Sequence, residues 1–333
     1  MPDYIDYIIT DAYKQRASDI HIDPEFDFIT VRYRIDGVVY DIEKIEKALH
    51  GELIARIKIL SGMRVDERFK PQDGRWSFGN IDIRVSVIPT IYGENAVLRL
   101  LEKKHAAMSL NDLKMGIEQM NIIESVLKKD KGIIIISGPT GSGKTTTLYS
   151  LLSYFVEQRK IVVTIEDPVE YTLKGVRQVQ TKTHHIHFAS GLRAILRQDP
   201  DVIMIGEIRD SETASVAMNA AMTGHIVLST IHTNSADQVK TRLIDMGIPH
   251  FQIEAVSLVA IAQRLVRILC KNCNGAGCGA CDERGYKGRK AIYEIKYDTS
   301  TYTTMFESAQ SMVLANETTD AEIERVLGKG NSI

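Results

Sequence analysis

Ile133-Ile134-Ile135-Ile136-Ser137-Gly138-Pro139-Thr140-Gly141-Ser142-Gly143-Lys144-Thr145 decides the fold. An unbroken β-branched run reads as a strand buried on both faces. It feeds a glycine-rich turn, and the residues from Thr146 to Phe155 have helical periodicity. The order strand, GxxxxGK[ST], helix is that of a P-loop. Glycines let successive backbone N–H groups point into one concavity, and the helix N-terminus adds partial positive charge. Gly138, Pro139, Thr140, Gly141, Ser142, Gly143, Lys144, Thr145 and Thr146 are therefore expected to cradle a nucleoside triphosphate. Lys144 would reach the β- and γ-phosphates, and the Thr145 hydroxyl would ligate Mg²⁺.

Downstream the chain keeps a βαβ rhythm, with strands expected at 132–136, 161–165, 202–205 and 226–229. Helices are expected at 145–158, 190–197, 211–222 and 236–245. In an open parallel sheet, ligands sit at the carboxyl ends of the strands. After the P-loop strand, the next ends in Glu166-Asp167-Pro168, the third in Gly206-Glu207, and the fourth closes on His232. Four strands thus deliver polar groups to one edge. Glu207, on a strand expected beside the P-loop, is the metal-side carboxylate; Glu166 is the candidate to orient or deprotonate the attacking water. His225 and His232 are candidates to sense the γ-phosphate, with a structural role open for one of them. Arg193 and Arg197 share a helix face at i, i+4. Arg84 and Arg99 lie in an earlier region and would reach a phosphate only across a domain or subunit boundary; solvated surface arginines are the alternative.

Upstream, residues 1 to about 104 form a small α+β module. Ile5, Ile8, Ile9 and Ala12 make a helix face, residues 28–39 look like a hairpin turning at Asp36-Gly37, and a second hairpin turns at Gly79-Asn80. Its return strand alternates Ile81, Ile83, Val85 and Val87 with Asp82, Arg84 and Ser86. The expected domains are 1–104, a linker at 105–114, a P-loop domain at 115–265, a cysteine knuckle at 266–290 and a helical tail at 291–333.

All four cysteines fall in Cys270-Lys-Asn-Cys273-Asn-Gly-Ala-Gly-Cys278-Gly-Ala-Cys281. Two CxxC pairs on one glycine-rich loop can wrap a tetrahedral ion. Structural Zn²⁺ is the expected occupant, with an iron–sulfur cluster or a metal-free loop as alternatives. Thr183-His184-His185-Ile186-His187 lacks carboxylate or cysteine company and reads as an edge strand or loop. The net charge of −2 and the absence of a basic run argue against strong nonspecific nucleic-acid binding. No apolar stretch approaches the ~20 residues of a membrane span, and Met1 to Asp6 has no basic n-region, so a cytoplasmic protein with at most peripheral membrane contact is expected.

These blocks together resemble the secretion (traffic) ATPases of type II secretion, type IV pili and competence pseudopili. Ala17 to Ile22, Tyr33 to Gly37, Pro71 to Arg75, Thr164 to Pro168, Gly206 to Asp210, Thr223 to His232, Gln263-Arg264-Leu265 and Gly285 to Arg289 all carry the likeness. The resemblance implies an N-terminal PAS-like domain, a RecA-like ATPase domain and a homo-hexameric ring working on ATP. It makes Glu166 the catalytic glutamate, Glu207 the Walker B acid, and His225 and His232 the His box. Arg84 and Arg99, with Arg193 and Arg197, become nucleotide-contacting arginines. It also implies a polytopic inner-membrane platform protein as partner, pilin as indirect cargo, and no direct nucleic-acid contact. A short chain with a tetracysteine loop looks most like the competence pilus ATPase of Gram-positive bacteria. A type II secretion ATPase core and a RecA-like DNA-transfer motor are the rival readings.

Overall fold

The computed structural model describes residues 2–102, 108–181, 186–297 and 303–328. The chain divides into two compact units, Met1–His105 and Ala106–Ile333. In the first, β1 (Ala17–Pro24), β2 (Phe28–Ile35), β3 (Val38–Glu46), β4 (Gln72–Phe78), β5 (Ile81–Thr90) and β6 (Gly93–Glu102) form an antiparallel sheet of order β3-β2-β1-β6-β5-β4. The β2–β3 hairpin turns on Asp36 and Gly37, at φ 49° and 86°, the left-handed pair that matches strand twist. Ile5, Ile8, Ile9 and Ala12 of α1 (Pro2–Lys14) and Leu53, Ile54 and Ile57 of α2 (His50–Leu60) share one core with alternate β5 residues Ile81, Ile83, Val85 and Val87. The sheet's other face is left polar, as period-two alternation requires.

The second unit is built on a seven-stranded sheet of order β13-β12-β7-β11-β10-β8-β9. Its members are β7 (Gly132–Ser137), β8 (Val162–Glu166), β9 (Val176–Gln180), β10 (Val202–Ile205), β11 (Ile226–Ile231), β12 (Leu258–Leu269) and β13 (Tyr286–Tyr297). All neighbours are parallel except the β12–β13 pair. Every residue of β7 is buried, because its alternate side chains enter two different cores. Ile133 and Ile135 join a cluster with α5 (Phe188–Ile195), α6 (Ser211–Met222), α7 (Asp237–Asp245) and α8 (His250–Glu254). Ile134 and Ile136 join another with α3 (Ile117–Leu127) and α4 (Lys144–Glu157). A four-isoleucine run is stable here only between two helical layers.

Two features differ from expectation. β11 lies between β7 and β10, so the strand ending at Glu207 is not beside the P-loop strand. Strand order is a tertiary choice that hydrophobic runs of equal character do not encode. The cysteine loop is not a separate knuckle at 266–290 but the tip of the β12–β13 hairpin, whose register runs from Val259↔Tyr297 to Leu269↔Tyr286. Residues 291–297 are therefore sheet rather than helical tail; helices α9 (Met305–Leu314) and α10 (Asp320–Leu327) follow. Part of the expected linker, 105–107, and Thr183, His184 and His185 lie outside the described residues; His187 is exposed just before α5.

Candidate functional site

The glycines of the loop after β7 hold the conformation that sequence demands. Gly138, Gly141 and Gly143 have φ of 146°, 78° and 90°. A Cβ at Gly138 would lie 2.5 Å from the Gln263 carbonyl oxygen, so the loop presses on β12 too closely for any side chain. Gly143 precedes the first residue of α4, and Lys144 folds over the loop, its Nζ donating to the Gly138 and Pro139 carbonyls at 2.8 and 2.9 Å. Burial and the nearby Arg264 guanidinium lower the Lys144 pKa, with Glu207 opposing them. The Ser142 hydroxyl is buried and, among the described residues, has no hydrogen-bond partner. A loop of this glycine conformation, at a helix N-terminus and with Lys144 and Arg264 beside it, fits an anion.

The register sets the rest of this edge. Ser137 pairs with Ile231, and Ile205 pairs with both Ser229 and Ile165. The strand ends are then knitted together: Gly206 N–H donates to the Ile165 carbonyl (2.8 Å), Ile208 N–H to that of Thr230 (2.9 Å), and the Thr230 hydroxyl to that of Gly206 (2.7 Å). Glu207 emerges from this lattice, its side chain 15% exposed, with the Arg209 guanidinium hydrogen-bonded to it and His232 Nε2 at 3.8 Å. Gly138, Pro139 and His232 line a cavity of about 470 Å³ with Asn234, Gln238 and Arg242 of the following loop and helix. Carboxylate, imidazole and P-loop thus share one edge, the disposition suited to holding a metal–phosphate.

Glu166 ends β8 at the same edge but is almost wholly buried. The Tyr149 hydroxyl donates to its Oε2, the Thr164 hydroxyl to Oε1 at 2.6 Å, and Gln178 Nε2 to Oε1 at 3.2 Å. Burial raises its pKa above the ordinary carboxylate value, and these three donors offset only part of that rise.

Other sequence candidates are placed elsewhere. His225 precedes β11, at the amino end of the strand, and its Nδ1 lies 3.1 Å from the Ala220 carbonyl. The six residues of β11 separate it from His232, roughly 20 Å of strand, so within one chain it does not reach the P-loop. Arg193 and Arg197 are exposed on α5 and just beyond it; Arg193 pairs with Glu212 at 2.9 Å and Arg197 caps the Arg193 carbonyl at 3.1 Å. In the first unit, Arg84 and Arg99 are direct cross-strand partners on the polar face, and register extends the row to Arg75 on one side and to Asp19 and Arg34 on the other. Asp19 is the row's lone anion, 2.8 Å from Arg99 and 3.7 Å from Arg34. Like charges directly opposed destabilise a sheet, so such a row is suited to an anionic partner.

Sequence reasoning missed the site roles of Arg264 and Arg209. Arg264 Nη2 donates to the Asn234 carbonyl at 3.0 Å and so ties β12 to the loop after His232. Both residues stood inside recognised blocks, yet only the fold shows what they touch.

At the hairpin tip the cysteine sulfurs all lie within 4.8 Å of one another. Cys270–Cys278, Cys273–Cys281 and Cys278–Cys281 are separated by 3.9, 3.7 and 3.8 Å. A tetrahedron with bonds of about 2.3 Å has edges of about 3.8 Å. Three edges of the quartet match that spacing, so the four thiols suit a zinc ion, and sulfurs this far apart are not disulfides.

The family model described as "Type II/IV secretion system protein" matches residues 1–332. The putative type II secretion system protein E of Escherichia coli (strain K12) is 46% identical over 321 residues, covering 87% of this chain and 65% of that protein. The type IV pilus assembly ATPase PilB of Myxococcus xanthus (strain DK1622) is 41% identical, covering 87% of this chain and 57% of that protein. The chain thus spans under two thirds of the length of these two relatives. The solved structure of the pilus retraction motor PilT with bound ADP superposes with a TM-score of 0.62 at 25% identity, covering 96% of this chain and 92% of that one. Among the described residues no helix is long and apolar enough to cross a membrane. With a P-loop, an acidic strand edge and this match along nearly its whole length, the chain belongs to the type II/IV secretion system protein family.

Proposed function

We propose that this chain is a motor ATPase that hydrolyses Mg²⁺-ATP to drive assembly of a type IV pilus or pseudopilus, of the kind used for competence. The observation that carries this is the shared carboxyl edge of four parallel strands, which presents Lys144, Glu207, His232 and Glu166 together. Lys144, Thr145 and Thr146 bind the phosphates; Glu207, through Mg²⁺, handles the metal side; Glu166 takes the water's proton. The second unit acts as a RecA-like engine at 115–265 with a zinc-stapled hairpin, and the first as a PAS-like domain at 1–104. Arg84 and Arg99 of that domain, and Arg193, Arg197 and His225, complete the site across subunit boundaries in a homo-hexamer. For His225 that division agrees with its place at the amino end of β11, the end opposite the P-loop edge. The ring works in the cytoplasm against a polytopic inner-membrane platform protein, with pilin as indirect cargo. A second reading, the core of a type II secretion ATPase, is favoured by the names of several relatives.

Glu166→Gln is expected to lower ATP turnover by at least about 100-fold, the scale of general-base loss, while nucleotide binding measured by calorimetry persists. Normal hydrolysis by that variant would sink the assignment. DNA-stimulated, steeply salt-dependent turnover would instead point to a nucleic-acid motor.

A further inference from the structure

Glu166 is an unusual base, because among the described residues none of its hydrogen-bond donors is a cation. Its hydrogen-bond donors are three neutral groups from three elements: Tyr149 on α4, Thr164 on β8 and Gln178 on β9. A buried carboxylate with no donors would take up a proton and cease to be a base near neutrality. We infer that Tyr149 is a positioning residue for hydrolysis, its hydroxyl holding Glu166 ionised and in a fixed orientation at the mouth of β8. The inference rests on the reading of Glu166 as the water-side base.

The surroundings are built for this. Tyr149 is fully buried, and its ring meets that of Tyr171 edge-on, with centroids 4.6 Å apart and planes at 64°. Gln178 accepts from Leu173 N–H at 2.8 Å through Oε1, which forces its NH₂ toward Glu166 and the Tyr171 carbonyl at 3.2 Å. The amide orientation is therefore fixed by its own partners. From the loop after β8, Glu170 faces the site as a like charge, and Tyr171 adds a second phenol. Both burial and Glu170 favour the protonated acid, and only the three donors favour the carboxylate. The phenol itself stays protonated, since burial and the adjacent carboxylate push its pKa far up. Tyr149 thus donates at every pH where the protein works. Its place, one turn beyond Lys144 and Thr145 on the same helix, couples the phosphate cradle to the base through a single rigid element.

The test compares pH profiles of ATP turnover for the full chain and for Tyr149→Phe and Gln178→Leu, with Mg²⁺-ATP as substrate. Tyr149→Phe keeps the buried ring, so the packing survives. Loss of one donor to a charged acceptor makes the carboxylate easier to protonate, which moves the acid limb of the kcat profile to higher pH. The ratio of kcat at about pH 8 to that at about pH 6 should rise about tenfold, with the KM for ATP unchanged. Gln178→Leu should move the limb in the same direction by less. A carboxyl-¹³C titration, with the Glu166 resonance assigned by its loss in Glu166→Gln, reads the same shift without turnover. An acid limb and a resonance that titrate as in the parent would overturn the inference whatever the absolute rate. Normal hydrolysis by Glu166→Gln would instead remove the base reading. An inactive Glu166→Gln beside an unshifted Tyr149→Phe removes only the role of Tyr149.

Discussion

The main sheet has two halves built on different logic. In the parallel half, β7, β11, β10 and β8 are buried on both faces and differ little in character, so what distinguishes them is the residue at each carboxyl end. The antiparallel half, β12 and β13, is long, carries Gln263, Arg264 and Glu294 among its apolar residues, and ends in the cysteine quartet. The first half concentrates chemistry at a shared edge; the second props that edge and staples its own far tip. Glu294 shows the propping directly. It is buried on β13 and accepts from Ala236 N–H at 2.7 Å and Met305 N–H at 3.2 Å, binding the start of α7 and the start of α9 to one carboxylate. Stability and chemistry are thus held by different residues of one sheet.

Changes at the hairpin are therefore expected to cost stability and spare nucleotide binding. The largest effect is expected from Cys278→Ser, which breaks the tetrahedral set. Elemental analysis should fall from about one zinc per chain to well under that. Unfolding should be easier by on the order of 4 kcal/mol, with ATP affinity retained. Loss of nucleotide binding in a folded variant would erase the distinction between the halves.

Next comes Glu322 of α10, which is fully buried and pairs with Arg267 of β12 at 2.7 Å and Arg325 at 2.6 Å. Burial pushes its carboxyl upward, but hydrogen bonds from Arg325 and Arg267 overcome this and hold it at about 2 instead of the ordinary 4.5. A folded value below the unfolded one means stability that is present above about 4.5 and lost as pH falls toward about 2. Glu322→Gln should remove that acid sensitivity and cost about 3 kcal/mol in chemical denaturation, because two guanidinium groups lose their anion. An unchanged acid limb of the stability curve would show that the clamp on α10 is not what the acid breaks.

The smallest effect is expected in the parallel half. Asp210 caps α6, its side chain accepting from Thr213 N–H at 2.7 Å. Asp210→Ala should cost about 1 kcal/mol and, by loosening the turn after Glu207, lower turnover more than nucleotide affinity. A variant that loses affinity alone would assign that turn to binding rather than to hydrolysis.

Much of this was legible in the chain. The Ile133–Ile136 run, the glycines at 138, 141 and 143, and the Asp36-Gly37 and Gly79-Asn80 turns are local signals with local causes, and the structure carries each of them. Ends of strands at Glu166, Glu207 and His232 were equally visible, since a strand's last residue is set by its own hydrophobic run. The partners of those ends were not. Glu166 was legible as an acid at a strand mouth, but the cage of Tyr149, Thr164 and Gln178 joins residues from separate elements. His225 looked like the twin of His232 only because their separation in space depends on the direction of β11. Similarly, Arg84 and Arg99 were visible singly, whereas the row with Arg75, Asp19 and Arg34 exists only through antiparallel register.

The sequence by itself determined the elements, the anion-binding loop and the inventory of acids and thiols, because hydrophobic period, glycine conformation and cysteine spacing act over a few residues. Only the tertiary structure decided which strand stands between β7 and β10, which donors surround Glu166 and which face the arginines share. Those depend on strand order and register, where many arrangements bury the same apolar residues and packing energy selects one.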